Sequence, residues 1–435
     1  MAGFEPILLR NVGVEKSTSI DVYRERGGYQ AIRKAMQSSP EEVVELVKAS
    51  DLRGRGGAGF PAGVKWGFLP KGRTVTLLCV NADESEPSTF TNRVLMEQDP
   101  HQLLEGVLIA GYATRTTTAY IYMRVEFHEQ FHILQKALDE AYEAGLFGER
   151  ILGSDFSMEC HIHRGAGAYV CGEETGLIES LEGKRGWPRI KPPFPAVSGL
   201  FGRPTVVNNV ETLSCLPHII ERGAGWFKSV GPPGSSGPKL FCVSGPVNRP
   251  GCFEGPMGIP VKDVIFDEAY AGGLRDGKKV KCVIPGGVSM GVLTADELEM
   301  AMDFASPTKY GVLGLGTSAI TVIDEDTDIR GVLLSLARFF GTESCGQCTQ
   351  CREGTGWMYK IADRIAKGAG RIEDLDLLEE IGENMGMMPG LSICGLSDGA
   401  SFAIRTLVRK FRSELEAHIG GQARGSVEEY LKVLR

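Results

Sequence analysis

The chain has 435 residues, of which 42% are hydrophobic and 23% charged, a composition typical of a soluble protein with about two to four domains. The net charge of −8 and the lack of a long Lys/Arg run argue against nucleic-acid binding. No apolar stretch approaches the ~20 residues that span a bilayer, and residues 1–10 lack a secretory-signal pattern. We therefore expect no direct membrane insertion, so any membrane association has to come through a partner.

Glycine and cysteine are the residue types that stand out. The 57 glycines exceed the usual share of roughly 7%, and they cluster between Gly54 and Gly63, where close packing of backbone against a ligand is the commonest cause. The 11 cysteines, in a chain without a secretory signal, predict a reducing compartment. In that setting cysteines serve as core residues, catalytic groups or metal ligands rather than as disulfides.

The first predicted helix begins at a capping box. Ser39 is its N-cap, Pro40 occupies the first helical position, and Glu42 closes the box. The helix runs into a glycine loop, and a strand at 74–80 is followed by an acidic turn. Further strands at 119–123 and 158–163 alternate with helices at 100–113 and 127–144. This alternation predicts a mainly parallel sheet covered on both faces.

The pattern of predicted strands and helices changes after a Pro- and Gly-rich stretch at 230–238. Short strands at 240–243, 280–284 and 319–323, with one helix at 261–269, predict a small α+β domain of roughly 85 residues. From residue 330 onward the pattern is helical, with segments at 330–340, 353–367, 374–385, 398–417 and 426–434. These segments predict a C-terminal helical bundle.

A CxxCxxC motif formed by Cys345, Cys348 and Cys351 indicates an iron–sulfur cluster, with Cys394 as the fourth ligand. Three thiolates on one tight loop can bind three corners of a [4Fe–4S] cubane. A structural zinc site, which usually needs two separated cysteine pairs or histidine ligands, remains an alternative. Histidine is scarce in this region, because none lies between His218 and His418. The other cysteines (79, 160, 171, 215, 242, 252 and 282) are scattered, and we interpret them as core residues.

The glycine loop satisfies G-x-G-x-x-G at Gly54, Gly56 and Gly59, with Arg55, Gly57 and Ala58 between them. A helix precedes it instead of a strand, so the context departs from the dinucleotide-binding fingerprint. A helix C-cap would need only one or two glycines. Close approach of the backbone to a flat or phosphorylated ligand explains the excess better, and Arg55 and Lys65 could supply charge for a phosphate.

Two more segments combine a strand with polar groups in the same way. The acidic turn with Asp83, Glu84 and Glu86 follows a strand, where α/β proteins bind ligands, although a solvated turn is the alternative. The second segment carries Gly172, Glu173 and Glu174 after a glycine-rich loop, and Asn208 and Asn209 add two amides. Together these segments predict one cofactor pocket.

These motifs occur along nearly the whole chain in a fixed order: RGRGGAGFPAGVKW, NADESEP, GAYVCGEETGLIESLEGKRG, KPPFPA, PTVVNNVET and SCGQCTQCREG. In this arrangement the chain resembles the NADH- and FMN-binding flavoprotein subunit of respiratory complex I. The resemblance implies a Rossmann-like FMN domain at 1–235, a ubiquitin-like (β-grasp) α+β domain at 236–326, and a helical [4Fe–4S]-binding domain at 327–435. Gln350 departs from the family, which usually has proline there.

The resemblance also implies individual site residues. The FMN site would involve Gly54, Arg55, Gly56, Gly57, Lys65, Asn81, Asp83, Gly172, Glu173, Asn208 and Asn209. The NADH site would add Phe60, Phe68, Glu86, Tyr169, Glu174, Lys191 and Phe194, and Ala58, Gly59 and Glu84 from the same motifs complete the set. Replacing Glu84 or Glu174 is expected to weaken dinucleotide binding. No side chain is expected to act as acid or base, because the flavin carries the chemistry.

The implied function is oxidation of NADH, with hydride transfer to FMN and single-electron transfer to the cluster. The expected partners are the thioredoxin-like [2Fe–2S] subunit and the large iron–sulfur subunit of complex I, with quinone as the final acceptor. The expected location is the bacterial cytoplasm, peripheral on the inner face of the cell membrane. One alternative is the diaphorase subunit of an NAD-linked hydrogenase or formate dehydrogenase, which often carries an extra N-terminal cysteine module. A non-enzymatic zinc-binding scaffold is a distant alternative.

Overall fold

The computed structural model describes residues 4–70, 72, 75–386 and 392–420. Its elements fall into three consecutive groups along the chain. The first group contains α1 (Ile20–Glu25), α2 (Gln30–Ala35), α3 (Pro40–Ala49), α4 (Ala62–Gly67), β1 (Leu77–Ala82), α5 (Thr91–Gln98), α6 (Pro100–Thr114), β2 (Thr118–Met123), α7 (His128–Glu143), β3 (Glu159–Arg164), α8 (Glu174–Leu181), α9 (Pro195–Ser198), β4 (Thr205–Asn209), α10 (Val210–Ser214), α11 (Leu216–Arg222) and α12 (Ala224–Ser229).

The first group is built on a four-stranded parallel sheet in the order β3-β2-β1-β4. Alternate residues of the central strand β1 face two different cores. Leu78 packs in the cluster that contains Leu104 of α6, whereas Leu77 packs with Leu177 of α8 on the other face. The prediction of a parallel sheet covered on both faces is therefore confirmed.

The second group forms a mixed five-stranded sheet in the order β6-β5-β9-β7-β8. Its elements are β5 (Pro238–Ser244), β6 (Gly251–Pro256), α13 (Val261–Phe266), β7 (Val280–Ile284), β8 (Leu293–Thr294) and β9 (Ala319–Asp324). The predicted helix at 261–269 ends earlier, because Asp267 takes an extended conformation (φ −69, ψ 136) and starts a turn. Strand β6 was not predicted, since its Gly and Pro residues resemble a turn.

The third group is helical, with α14 (Ile329–Glu343), α15 (Thr349–Ala366), α16 (Glu373–Met385), α17 (Leu396–Lys410) and α18 (Arg412–Gly420). In its described residues the group contains no strand. The predicted helix at 398–417 is two helices, with a break at Phe411 (φ −118, ψ 22). Helix α15 begins four residues earlier than predicted, directly after Cys348, which is its N-cap. The predicted helix at 426–434 lies outside the described residues.

Buried carboxylates tie the N-terminal segment to the rest of the chain. Glu105 on α6 accepts a hydrogen bond from Tyr23 Oη at 2.6 Å and one from the backbone N–H of Tyr29 at 2.9 Å. Glu254 on β6 accepts three more, from the backbone N–H groups of residues 7, 8 and 9, at 2.9–3.0 Å. These bonds fix the segment to helix α6 and to strand β6 of the second sheet.

The predicted start of helix α3 is confirmed in detail. Ser39 and Glu42 form both bonds of the capping box, and Pro40 is the first helical residue. The strand predicted at 74–80 is β1 in the structure, although residue 74 is outside the described part. Across the described residues, no helix combines the length and apolar character needed to cross a bilayer.

Candidate functional site

The candidate site lies at the carboxyl end of the parallel sheet, between β1 and β4. The chain places β2 and β3 on one side of β1 and returns to β4 on the other side, so the strand order reverses between these two neighbours. Ligands of open α/β sheets bind at such a point. A cavity of about 580 Å³ opens there, which is the size of small-molecule and cofactor sites.

The cavity brings together most of the predicted cofactor residues. Its wall includes Arg55, Gly56, Gly57, Ala58, Asn81, Asp83, Glu84, Glu86, Tyr169, Gly172, Glu173 and Asn209. The remaining predicted residues lie outside that wall: Gly54, Gly59, Phe60, Lys65, Phe68, Glu174, Lys191, Phe194 and Asn208. Several of these contact the wall indirectly, through the polar networks described below.

The glycine loop forms one wall of the cavity with its backbone. Gly57 has φ +124, and a Cβ added there would meet no protein atom within 4 Å. A Cβ on Gly56 would approach Asn209 Cβ at 3.0 Å. Gly57 also pairs with Gly316 of the second group through an isolated antiparallel bridge. Gly57 is therefore needed for its backbone conformation, and Gly56 is needed for its close packing against Asn209.

The resemblance places FMN against this loop, so we expect Gly57→Ala to lose most of its flavin affinity while the fold survives. An L-residue at φ +124 is strained, and the added methyl group would occupy space in the cavity. Gly13→Ala is the matched control, since Gly13 also has positive φ (+81) and open space but is not part of the cavity wall. Flavin fluorescence titration and thermal unfolding check both variants. Equal flavin affinity in the two variants would contradict the role of the loop.

Arg55 supplies a buried positive charge beneath the loop. Its Nη2 atom donates to Ser236 O at 2.6 Å, whereas Nε and Nη1 are buried with no oxygen or nitrogen acceptor among the described residues. The neighbouring group is the thiol of Cys215: burial raises its pKa to about 12, while the charge of Arg55 and a hydrogen bond with Arg55 act in the opposite direction. Buried donors are normally paired, so unpaired guanidinium nitrogens beside a glycine loop suit an anionic ligand.

The acidic turn serves the protein framework as well as the cavity. Glu84 is buried, and its carboxylate accepts from Thr91 Oγ1 at 3.0 Å and from the backbone N–H groups of Asn92 and Arg93 at 2.8 and 2.9 Å. These N–H groups belong to the first turn of α5, which has no side-chain cap of its own. An effect of replacing Glu84 is therefore expected to arise largely through α5.

Asp83 is the carboxylate of this turn that burial affects most clearly. Burial raises its pKa to about 7, while the Arg124 guanidinium acts in the opposite direction. Asp83 is thus partly protonated at neutral pH, so it can donate or accept a hydrogen bond. Asn81 lies beside it, with its side chain donating to Gly172 O at 2.8 Å.

Glu86 joins three parts of the structure at the cavity wall. It accepts from Tyr169 Oη at 2.5 Å and from the backbone N–H of Ser289 at 2.8 Å. Burial raises the pKa of Glu86, and the bonds from Tyr169 and Ser289 oppose that shift. A Cβ on Gly287 would stand 2.5 Å from Glu86 Cγ, so only glycine allows this approach.

Glu173 and Glu174, the second pair of carboxylates, have different roles. One oxygen of Glu173 caps α8 by accepting from the backbone N–H groups of Thr175 and Gly176 at 2.7 and 2.9 Å. Its other oxygen accepts from Lys191 Nζ at 2.8 Å. Glu173 therefore orients the loop that enters α8 and holds Lys191 next to the cavity.

Glu174 lies between two lysines. Its carboxylate is 2.6 Å from Lys65 Nζ and 3.1 Å from Lys191 Nζ. Burial alone would raise the pKa of Glu174, but the two ammonium groups lower it below its ordinary value. Glu174 is therefore ionised at neutral pH. Lys65 Nζ also donates to Val207 O at 3.0 Å.

Three predicted aromatic residues are exposed. Phe60, Phe68 and Phe194 have 46%, 57% and 58% of their surface accessible. The Phe60 and Phe68 rings stand 6.1 Å apart, centroid to centroid. Large aromatic rings at such exposure are available to stack on a planar ligand.

The sequence prediction missed the contribution of the second and third groups to the cavity. Segment 313–317, Ser289, Met290 and Phe304 form part of its wall, and Asp398 contributes from α17. Thr91 and Asn92 of α5 were also missed. Glycine clusters at 286–291 and 311–316 were a usable signal, because they resemble the loop at 54–59.

The four predicted metal-ligating cysteines line one small cavity. Its wall consists of Ser344, Cys345, Gln347, Cys348, Cys351, Ser392, Ile393, Cys394 and Leu396. Cys351 belongs to the first turn of α15, and the backbone N–H of Ile393 donates to Cys348 Sγ at 3.4 Å. Among the described side chains, no three possible ligands are placed to hold a single ion. The ligands of a four-iron cluster bind four different irons, so they stand further apart than the ligands of one ion.

Comparisons with known proteins agree with this geometry. Residues 47–218 match the family described as the Nuo51 FMN-binding domain, and residues 331–418 match the NADH-ubiquinone oxidoreductase-F iron–sulfur binding region. Residues 240–293 match the SLBB domain. These matches assign an FMN-binding region to the first group and a [4Fe–4S] region to the third.

Whole-chain relatives show the same likeness. The second F subunit of NADH-quinone oxidoreductase in Rhizobium meliloti is 51% identical over 418 residues, which cover 96% of this chain and 98% of the relative. The F subunit of NADH-quinone oxidoreductase in Rickettsia felis is 46% identical over 419 residues, with coverage of 96% and 98%. The crystal structure of an NAD⁺-reducing [NiFe]-hydrogenase in the air-oxidised state superposes with a TM-score of 0.81 at 36% identity, covering 97% of this chain and 68% of that chain.

The cofactor regions define a flavin- and iron–sulfur-binding oxidoreductase component. More specifically, the chain belongs to the family of NADH-quinone oxidoreductase F subunits. The predicted family is therefore confirmed, as are the predicted cofactors FMN and [4Fe–4S].

Proposed function

We propose that this chain oxidises NADH by hydride transfer to FMN and passes the electrons singly to a [4Fe–4S] cluster, as the NADH dehydrogenase module of complex I. One observation carries the proposal. Cys394 and Leu396 line both the large cavity between β1 and β4 and the small cavity of the four cysteines. A flavin in the first cavity and a cluster in the second would be neighbours, as transfer of single electrons requires.

The residues around the large cavity fit FMN. The backbone wall at 54–59 and the unpaired nitrogens of Arg55 suit a phosphate, and the amides of Asn81 and Asn209 suit hydroxyl or ring polar groups. The open space beside Gly57 leaves room for a flat ring. When bound, FMN supplies the conversion of a two-electron donor into single electrons. The protein binds, orients and shields the reactants.

The residues outside the cavity wall fit the dinucleotide. Phe60, Phe68 and Phe194 offer exposed rings for stacking, and ionised Glu174 would accept a hydrogen bond from a ribose 2′-hydroxyl. Lys65 and Lys191 hold Glu174 in place. A carboxylate at this position would repel a 2′-phosphate, which favours NADH over NADPH.

We expect Glu174→Gln to raise KM for NADH about tenfold and to narrow the preference for NADH over NADPH. The neutral amide keeps the shape of the side chain but loses the charge that excludes a 2′-phosphate. Glu179→Gln is the matched control, because Glu179 is also ion-paired on α8 but to Arg189 and Lys184, whereas Glu174 is paired to Lys65 and Lys191. Steady-state kinetics with both dinucleotides give the answer. An unchanged NADPH/NADH ratio in Glu174→Gln would remove Glu174 from the dinucleotide site.

The proposal as a whole is tested with the purified, reconstituted chain. We expect one FMN and four irons per chain, and NADH-dependent reduction of ferricyanide. A chain that binds iron but no flavin, or one that bleaches no flavin on addition of NADH, would refute the proposed function.

We infer that the three groups correspond to a Rossmann-like FMN domain (1–235), a β-grasp domain (236–326) and a helical cluster-binding domain (327–435). The strand-order reversal between β1 and β4, the mixed five-stranded sheet and the helices from α14 onward support these assignments. The four cysteines are the proposed cluster ligands. The proposed partners are the thioredoxin-like [2Fe–2S] subunit and the large iron–sulfur subunit, through which the chain would associate peripherally with the inner face of the membrane.

The diaphorase subunit of an NAD-linked hydrogenase is the second candidate. The likeness to the NAD⁺-reducing hydrogenase supports it, at 36% identity. The F subunit of Rhizobium meliloti is 51% identical over nearly its full length, and this likeness favours complex I. Both candidates share the same NADH-oxidising site.

A further inference from the structure

Two cysteines outside the cluster lie opposite each other in the second sheet. Cys242 on β5 pairs with Cys252 on β6 in the antiparallel register. Residues directly opposite in an antiparallel pair have Cα atoms about 4.5–5.5 Å apart and side chains on the same face. A disulfide needs Cα atoms at about 4.4–6.8 Å. The backbone therefore already satisfies the requirement for a bond between them.

The two thiols differ in their surroundings. Cys242 is buried in the sheet, whereas Cys252 is partly exposed on β6, which is the edge strand. The thiols are within hydrogen-bonding reach of each other. Burial, and then the bond with Cys252, raises the pKa of Cys242 well above its ordinary value. Cys252 is thus the thiol that a small oxidant can reach first. Cys242 is the thiol that then reacts with the oxidised Cys252.

Cys242 also contacts the wall of the large cavity. The backbone N–H of Phe90 donates to Cys242 Sγ at 3.2 Å. Phe90 is the N-cap of α5, and the next residues, Thr91 and Asn92, line the cavity. Asn92 Oδ1 accepts from Asn209 Nδ2 at 2.6 Å. A change at Cys242 is therefore one hydrogen bond away from residues of the proposed flavin site.

We propose that Cys242 and Cys252 are a reversible thiol modification site that forms a cross-strand disulfide with hydroperoxides and thereby loosens the flavin site through Phe90. In the first step the Cys252 sulfur attacks hydrogen peroxide, the O–O bond breaks, and the thiol proton passes to the departing hydroxide, so that Cys252 sulfenic acid and water form. In the second step Cys242 sulfur attacks the sulfenic sulfur and loses its proton, and a second water leaves. One peroxide is reduced and two thiols are oxidised.

The disulfide acts on the flavin site because bond formation turns Cys242 Sγ toward β6. The Phe90 N–H then loses its acceptor at the start of α5, where Glu84 binds the backbone N–H groups of Asn92 and Arg93. Loss of one buried hydrogen bond is expected to increase the rate of flavin release by about tenfold. This second effect rests on the proposed function, since it requires flavin in the cavity.

The test uses the holoprotein with flavin and cluster, treated with increasing hydrogen peroxide, alkylated and digested. We expect a cross-linked peptide pair containing Cys242 and Cys252 that dithiothreitol separates. Cys252→Ala is expected to lose the cross-link, and Cys252→Ser replaces it if the alanine variant folds poorly. Cys282→Ala is the matched control, because Cys282 is buried in the same sheet and faces Ile323 and Thr294 instead of a cysteine. Oxidation of Cys252 to sulfinic acid with Cys242 still free would overturn the proposal.

Flavin release is followed in the same samples by the rise of flavin fluorescence. Faster release is expected in the oxidised protein and in oxidised Cys282→Ala, but not in Cys252→Ala treated in the same way. A disulfide that leaves the release rate at the Cys252→Ala value would overturn the link to the cavity. Failure of the proposed function itself is visible earlier, as untreated protein without bound flavin.

Discussion

Replacing Glu211 with alanine is expected to destabilise the protein by about 3–5 kcal/mol. Glu211 follows the proposed flavin-binding amides at the start of α10, and its carboxylate is 2.6 Å from Lys239 Nζ. Both side chains are buried, with 0% and 1% exposed. Glu211 also accepts from the backbone N–H of Leu240 at 3.0 Å. The alanine variant would leave the Lys239 ammonium group buried with the Leu240 carbonyl but without a negative charge beside it, which is the cause of the large cost. Thermal unfolding should show a midpoint about 10 °C lower.

Two further variants separate the charge effect from simple loss of contacts. Glu299→Ala removes an exposed partner of Lys262, with 65% and 42% of the two side chains accessible, and should leave the unfolding midpoint nearly unchanged. The double variant Glu211→Leu/Lys239→Met removes both buried charges and should recover much of the lost stability. If Glu211→Ala unfolds at the same temperature as Glu299→Ala, the buried pair does not hold the first two groups together.

Replacing Cys351 with alanine should abolish the EPR signal of the cluster while NADH still bleaches the flavin. Cys351 lies in the first turn of α15, and alanine cannot bind iron. The cavity wall of the flavin does not include Cys351. Electron transfer to ferricyanide can then persist, whereas transfer to acceptors beyond the cluster should stop.

Cys160→Ala provides the control for this experiment. Cys160 is buried on β3 and belongs to the core of the sheet. Its replacement should keep the full iron content, the EPR signal and the rate of NADH oxidation. An intact cluster signal in Cys351→Ala would contradict the assignment of the ligand, and loss of flavin from the same variant would show that the two sites fold together.

Local patterns in the sequence predicted three of the four strands of the first sheet, although not β4, and many of the predicted site residues lie around one cavity. The capping box at Ser39 and Glu42 and the alternation of strands and helices depend on neighbouring residues only. The same is true of the cysteine motif, whose members at 345, 348 and 351 lie on one loop and one helical turn. Such features are encoded within a few residues, so they can be inferred before the fold is known.

Features that depend on contacts distant in sequence were not inferred. Ser289 reaches Glu86 across 203 positions, and Gly57 pairs with Gly316. Similarly, the role of Glu84 as a cap of α5 could not be inferred, because α5 itself was not predicted. Propensity and periodicity do not encode which loops of a second group will cover the cavity of the first.

The three hydrogen bonds from residues 7, 8 and 9 to Glu254 tie this N-terminal segment to the second sheet. A fragment that ends at residue 235 would keep this segment but lose its acceptor, and an isolated middle fragment would keep Glu254 without its three donors. Neither fragment is therefore expected to fold well when expressed alone. In limited proteolysis, we expect the first cuts to fall outside this contact, so that residues 7–9 and the second sheet remain in the same product.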